Sequence, residues 1–132
     1  MNVLWLSHPF KMDDILTNKD AIWVYTDNEL REGGGEMVEF MRKTENCHPL
    51  ISRETIGNDG YFREDNIARK SRMINNYFDS LHIRIKHGKL AILNTIEINE
   101  AIAEMEKHAP IFGDVFASGI SKTNKFKMTT LI

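Results

Sequence analysis

Two short runs of the chain are apolar at almost every position, which is typical of strands buried on both faces of a sheet. They are AIWVYT at residues 21–26 and KLAILNT at residues 89–95. A third apolar run, MNVLWLS at residues 1–7, is a further strand candidate that Pro9 breaks, because proline has no amide hydrogen to donate. We therefore predict buried strands in at least the first two runs.

The helical pattern is clearest over residues 64–87. Apolar residues recur there at steps of seven, four, three and four along one helical face: Ile67, Ile74, Phe78, Leu81 and Ile85. Shorter helices are predicted over residues 36–43 and 96–109, with Pro110 stopping or kinking the second. The pattern leaves residues 13–20 as a helical turn or a loop, and residues 111–120 as a helix or a strand. Residues 49–56 read as an extended segment.

Buried strands separated by helices predict an α/β layer fold with a mostly parallel or mixed sheet. A chain of 132 residues fits one domain. We expect that domain to carry an N-terminal extension over residues 1–20 and a basic C-terminal tail over residues 121–132. Lys122, Lys125 and Lys127 surround Phe126 in this tail.

Composition narrows the range of functions. The 17 basic and 19 acidic residues give a net charge of −2, which argues against a general nucleic-acid coat. The single cysteine, Cys47, excludes an internal disulfide and any zinc site built from several cysteines. No run approaches the ~20 apolar residues of a membrane span, and the first residues lack the features of a secretory signal. We therefore expect a soluble cytoplasmic protein.

The main candidate site is TDNELREGGGEMVEFMR at residues 26–42. Here a buried strand ends at Asp27 and Asn28, and Gly33, Gly34 and Gly35 precede a helix. In parallel sheets ligands bind beyond the carboxyl ends of the strands, and glycine lets a backbone approach a phosphate closely. Asp27 would accept a hydrogen bond from a ribose hydroxyl or an exocyclic amine. The alternative is a plain flexible connection, since neither a dinucleotide nor a triphosphate fingerprint is present.

These residues resemble a small uncharacterised domain of bacteria and their phages, which in turn is similar to macro domains. The shared pattern runs over residues 21–117 and includes AIWVYTDN, GGG–EMVEFMR, Asn46 and the long helix. Macro domains bind ADP-ribose through a strand-end Asp or Asn and a glycine-rich loop. The resemblance implies a macro-like fold and the following ligand-binding residues: Asp27, Asn28, Arg31, Gly33, Gly34, Gly35, Arg42 and Asn46.

The chain departs from that pattern after its 89–94 strand. The second glycine-rich loop expected there reads TIEINEA and contains no glycine, and its Glu97 and Glu100 place negative charge where a phosphate would lie. We therefore expect a degenerate pocket on a small phage-type protein that binds, and inhibits or modulates, a host protein. The alternative is binding, sequestration or, less expected, hydrolysis of an ADP-ribose-like nucleotide. No cofactor, catalytic residue or metal site is predicted, and the sequence gives no oligomeric state.

Three other groups of residues have a structural and a functional interpretation. Cys47 and His48 would be a nucleophile and its base, or a structural cysteine and a loop histidine. Glu97 and Glu100 would serve acid–base chemistry or a divalent ion, or would simply be the acidic first turn of a helix. The basic cluster of the long helix would meet nucleic acid or an acidic partner, or would be a solvated face. That cluster comprises Arg63, Arg69, Lys70 and Arg72. In each case the structural interpretation is the expected one.

Overall fold

The computed structural model describes residues 2–126, which contain four strands and five helices. The strands are β1 (Val3–Leu6), β2 (Ala21–Asn28), β3 (Cys47–Arg53) and β4 (Leu90–Asn94). The helices are α1 (Met12–Thr17), α2 (Glu36–Arg42), α3 (Ile67–Lys86), α4 (Thr95–His108) and α5 (Pro110–Asn124). The strands form one sheet in the order β1-β4-β2-β3, and every neighbouring pair is parallel. The predicted α/β domain is confirmed.

Helices cover both faces of this sheet. Residues of α1 and α2, such as Ile15 and Met41, pack on one face against alternate residues of β2, including Trp23. The side chains of α3, α4 and α5 pack on the other face against the intervening residues, Ile22 and Val24. Because consecutive side chains of a strand point to opposite faces, a continuous apolar run is what a central strand of this sheet requires.

The predicted elements are found with shifted ends. β2 continues through Asp27 and Asn28, and residues 111–120, which the pattern left open, belong to α5. Pro110 ends α4 and is also in the first turn of α5. Proline is tolerated there because an amide hydrogen at that position would have no helical partner in any case. The N-terminal segment is not an extension of the domain, because β1 pairs with β4 from Val3 to Leu6.

Because all four strands run in one direction, they end at one edge of the sheet and begin at the other. We call these the carboxyl edge and the amino edge. Of the predicted basic tail, residues 121–124 continue α5, whereas residues 127–132 lie outside the described part of the chain. Within residues 2–126, no helix combines the length and the apolar character that crossing a membrane requires.

Candidate functional site

Asp27 is the centre of a charged cluster at the carboxyl edge. The side chain of this aspartate is 1% exposed. Arg42 of α2 donates from Nε at 2.8 Å and from Nη2 at 2.6 Å, one bond to each carboxylate oxygen. Arg31 donates from Nε to Oδ2 at 2.7 Å. Both oxygens of the Asp27 carboxylate are therefore occupied by the protein's own guanidinium groups.

The ionised form of Asp27 is the favoured one. Burial alone would raise the pKa of this carboxyl, but hydrogen bonds from Arg42, from the backbone N–H of Asn28 and from Arg31 together lower it below its usual value. The Asn28 backbone bond measures 2.8 Å. A carboxylate that is charged and already paired with two cations has little capacity left for a ribose hydroxyl or an amine.

The side chain of Asn28 holds the loop that follows β2. Its amide group donates to the carbonyl of Glu32 at 2.7 Å and accepts from the Glu32 backbone N–H at 3.3 Å. Arg31 lies within this loop at a φ of 57°, in the left-handed region, and its Nη2 also donates to the hydroxyl of Tyr25 at 3.0 Å. Asn28 and Arg31 thus fix the turn that leads to the glycines.

The three glycines have a conformational reason to be glycine, and Gly33 has a packing reason as well. Gly33, Gly34 and Gly35 all have left-handed φ values, of 61°, 90° and 96°. A Cβ on Gly33 would lie 2.7 Å from Cδ1 of Ile56, in the loop after β3. Gly33 therefore lets the β2–α2 loop pack closely against the β3–α3 loop, with or without a ligand, and the positive φ values alone account for the other two glycines.

A cleft of about 180 Å³ lies beside Gly34. Ligand pockets for drug-sized molecules are typically about 300–1,000 Å³, so this volume fits a phosphate or a small group but not a whole dinucleotide. A second cavity of about 170 Å³ adjoins it and shares the residues Thr26, Ser52 and Arg53. We call the first of these the glycine cleft.

Glu97 and Glu100 line the second cavity and not the glycine cleft. Oε2 of Glu97 accepts from the backbone N–H of Thr26 at 2.6 Å and from its hydroxyl at 3.1 Å. Burial raises the pKa of the Glu97 carboxyl, although the two bonds from Thr26 lower it. The backbone N–H of Glu97 is itself bonded to the Asn94 side chain, which caps α4. The acidic start of α4 is thus tied to the end of β2.

Asn46 is not part of this cluster. It immediately precedes β3, and so it lies at the amino edge, at the opposite end of the sheet from Asp27. Its amide nitrogen donates to the carbonyls of Ile15 and Asn18, at 3.0 and 3.3 Å, and ties the α1–β2 connection to β3. The expectation that Asn46 joins the glycine loop is corrected, because a residue before a parallel strand cannot lie beside the residues that follow one.

Cys47 and His48 do not face each other. Cys47 packs on the α2 face of β3, whereas the Nε2 of His48 donates to the carbonyl of Tyr77 in α3 at 2.8 Å. Burial raises the pKa of the Cys47 thiol to about 11 and lowers that of the His48 imidazole to about 4. At neutral pH neither the thiolate nor the imidazolium forms to a useful extent. A structural role is thus supported for both residues, but the expected loop histidine lies within β3.

The basic cluster of α3 is only partly a solvated face. Lys70 is buried, with its Nζ bonded to the carboxylates of Glu54 and Asp65. Arg69 pairs with Glu29 of the β2–α2 loop at 2.7 Å. These ion pairs attach the start of α3 to the loops of the carboxyl edge. Within the described residues, no group of three or more His, Cys, Asp or Glu side chains is placed to hold a metal ion.

Two features of the structure were not predicted from the sequence. One is an aromatic stack in which Cζ of Arg53 lies 4.5 Å from the Tyr61 ring centroid and Tyr61 lies 3.8 Å from the His108 ring. The other is a groove of about 590 Å³ at the amino edge. Residues of each feature come from segments far apart in the chain, so only a known topology brings them together.

The comparisons with known proteins identify a family but no function. No curated protein and no solved structure matches the chain. A family model matches residues 6–117, from the end of β1 into α5, and so includes the Asp27 cluster, the glycine loop and the whole of α4. On that match the chain belongs to DUF7831, a family of unknown function.

Proposed function

We propose that this protein acts by binding a partner protein through the loops of the carboxyl edge. The observation that supports the proposal is that the Asp27 carboxylate is already fully paired within the protein. Arg31 and Arg42 occupy both carboxylate oxygens of Asp27, at the position where a macro-like domain would need a free acceptor. The β2–α2 loop is thus held in place by its own side chains, and its outer surface is the part that another molecule can contact.

That outer surface carries exposed aliphatic side chains, which we call the carboxyl-edge patch: Leu30, Ile56 and Ile67. Leu30 is 57% exposed in the β2–α2 loop and Ile56 is 51% exposed in the β3–α3 loop. The Gly33–Ile56 packing joins the two loops, and the Arg69–Glu29 ion pair joins the first of them to the start of α3. Exposed apolar side chains on neighbouring rigid loops are typical of protein–protein contact sites.

The role that accords with this surface is inhibition or modulation of the partner, without catalysis by this chain. In the phage-type setting implied by the sequence resemblance, the partner would be a host protein. Support for a role without catalysis comes from the two candidate reactive groups: Cys47 and His48 are both buried, and they face opposite sides of the sheet.

Affinity capture from a bacterial lysate tests the proposal when the tagged chain is compared with matched variants. Leu30→Glu and Ile56→Glu each place a charge in the patch, and Ile83→Glu is the control because Ile83 is 55% exposed on α3 but outside the patch. We expect one protein to be captured by the original chain and by the control but lost from the patch variants. Capture that is equal for all four chains, or absent from all, contradicts the proposal.

A second candidate, a nucleotide-type ligand in the glycine cleft, is favoured by one observation. The Nε of Arg53, which lines the cleft, is buried and has no hydrogen-bond partner within the described residues. An unpaired buried donor is costly, and a phosphate oxygen of an ADP-ribose-like molecule would satisfy it, with the rest of that molecule lying outside the small cleft. Calorimetric titration with ADP-ribose tests this, with Arg53→Met as the variant. Heat that is absent in both proteins, or unchanged by the substitution, excludes the candidate.

A further inference from the structure

The groove at the amino edge is about three times as large as either the glycine cleft or the cavity that adjoins that cleft. Its volume is about 590 Å³, which lies within the usual range for small-molecule sites. We call it the amino-edge groove. Its walls are the α1–β2 connection, the α2–β3 connection, the last turn of α3 and the residue before β4. Four separate segments of the chain thus converge on it.

Each of these segments contributes a cation: Lys19, Lys43, Arg84 and Lys89. Across residues 2–126 none of these four side chains forms an ion pair with a carboxylate. Arg84 instead donates to the ring of His48 at 3.3 Å and to the carbonyl of Glu45 at 3.2 Å, which holds its guanidinium in place. The groove is therefore lined by four cations that no described carboxylate pairs with directly.

The net charge of the groove is opposite to that of the chain. The four cations outnumber the acidic lining residues, Asp20 and Glu45, by two, whereas the whole chain has a net charge of −2. Helices α1, α2 and α3 end near this edge, and each carboxyl end carries at most about half a negative charge. Together, the three helix ends offset at most about 1.5 of the net charge of +2 on the groove lining, and they offset less than that because α1 and α2 are short. The groove remains positive.

The lining is not uniformly polar. Leu16, Ala21 and Ile22 form an apolar part. The Thr44 hydroxyl and the Asn46 amide nitrogen also line the groove, but both already donate to backbone carbonyls, so the cations are the groups left for an anion. A bare inorganic ion would use only the cations, whereas a molecule with an anionic group and a flat or apolar body would use both parts. We propose that the amino-edge groove binds a small phosphate-bearing organic anion, such as a nucleotide. This site is independent of the carboxyl-edge patch.

Isothermal calorimetry on the whole chain tests this with three probes: ATP, pyrophosphate and a single-stranded oligonucleotide of 12 nucleotides. The binding variant is Lys43→Gln with Lys89→Gln, which removes two exposed charges and keeps much of the side-chain length. The control is Lys107→Gln, because Lys107 is an exposed cation of α4 outside the groove. Circular dichroism confirms that each variant is folded.

We expect ATP to bind the original chain and the control equally, and the double variant at least about tenfold more weakly. Pyrophosphate should bind more weakly than ATP because it lacks the organic body, and added salt should weaken both. Three results would overturn the proposal. They are no heat with ATP, ATP binding that the double variant retains, and a preference for the oligonucleotide or for pyrophosphate over ATP.

ATP binding at the glycine cleft would be a different finding, and Arg53→Met separates the two sites. Binding in the amino-edge groove should survive Arg53→Met, because Arg53 ends β3 at the carboxyl edge and does not line the groove. If Arg53→Met abolishes the ATP heat and the double lysine variant does not, the amino-edge groove is not the site.

Discussion

Replacement of Asp27 by Asn tests whether the charged cluster braces the glycine loop. The substitution preserves the shape of the side chain but leaves Arg31 and Arg42 facing a neutral amide. Removal of one partner from a fully buried ion pair costs about 3–5 kcal/mol. Here the Arg42 side chain is 12% exposed and that of Arg31 is 32% exposed, so water can reach both guanidinium groups in part. We therefore expect a loss of about 2–3 kcal/mol in the free energy of unfolding.

Urea unfolding at pH 7 measures this loss, with Asp59→Asn as the control. Asp59 is an exposed aspartate of the β3–α3 loop and forms no ion pair with a described residue, so its substitution should change stability by less than about 0.5 kcal/mol. A double-mutant cycle with Arg42→Gln should show a coupling energy above about 1 kcal/mol. The reasoning is refuted if Asp27→Asn is as stable as the original chain, or if the two substitutions are additive.

The Asp27 cluster also determines the direction in which the free energy of unfolding changes with pH. Because the pKa of Asp27 is lowered on folding from its usual 3.8, the stabilisation is fully present above pH 3.8. It is lost as the pH falls through the lower, folded-state pKa. The stability difference between the original chain and Asp27→Asn should therefore be constant near neutrality and shrink only in acid below about pH 4.

Three further predictions concern groups outside this cluster. His48 has a folded pKa of about 4 against 6.5 when unfolded, so stability should fall by up to about 3 kcal/mol as the pH drops from 6.5 to 4. Unfolding curves of His48→Gln, measured over the same pH range, should show a smaller fall. Gly119→Ala would place a Cβ 2.4 Å from the Phe78 ring, and calorimetry should show a loss of about 1–3 kcal/mol. Cys47, with its thiol pKa raised from 9.0 to about 11, should react with iodoacetamide at pH 8 roughly 100-fold more slowly folded than unfolded, as mass spectrometry can follow.

The sequence pattern predicted the layers of this fold because central parallel strands have a distinctive composition. β2 and β4 are covered on both sides, and each is apolar along most of its length. The same reasoning left residues 111–120 open, although Phe112, Val115 and Phe116 lie on one helical face. Gly113 and Gly119 lower the helix propensity of this short apolar segment, so composition did not separate a helix from a strand.

Lys70 shows that a signal can be present and still be missed. It lies three residues after Ile67 and four before Ile74, so the helical period places it on the apolar face of α3. A charged residue on that face has to find a partner, and Glu54 and Asp65 provide carboxylates. The helical period therefore predicts that Lys70 is buried. It does not identify the partners of Lys70, because Glu54 lies in a different part of the chain, after β3.

The candidate site could be located from the sequence but its internal pairing could not. Asp27 was expected at the end of a strand, and it is there. Arg42 follows it by 15 residues, and their bond depends on how α2 folds back over the sheet. Asn46 was misplaced for a related reason. Residues 44–63 show no helical period, so nothing in the pattern marked the start of β3 at Cys47 and the edge on which Asn46 lies.

The two edges of the sheet provide surfaces that should act independently. β2 connects them, and eight residues at about 3.3 Å each separate its ends by roughly 25 Å. The influence of one surface charge on another is small at that distance, because salt screens it and the Debye length is about 8 Å at physiological salt. Lys43→Gln should therefore leave capture of the partner protein unchanged, and Leu30→Glu should leave ATP binding unchanged. A substitution at one edge that altered binding at the other would show that the two surfaces are coupled through the sheet or the core beneath it, by a second arrangement or by a change in flexibility.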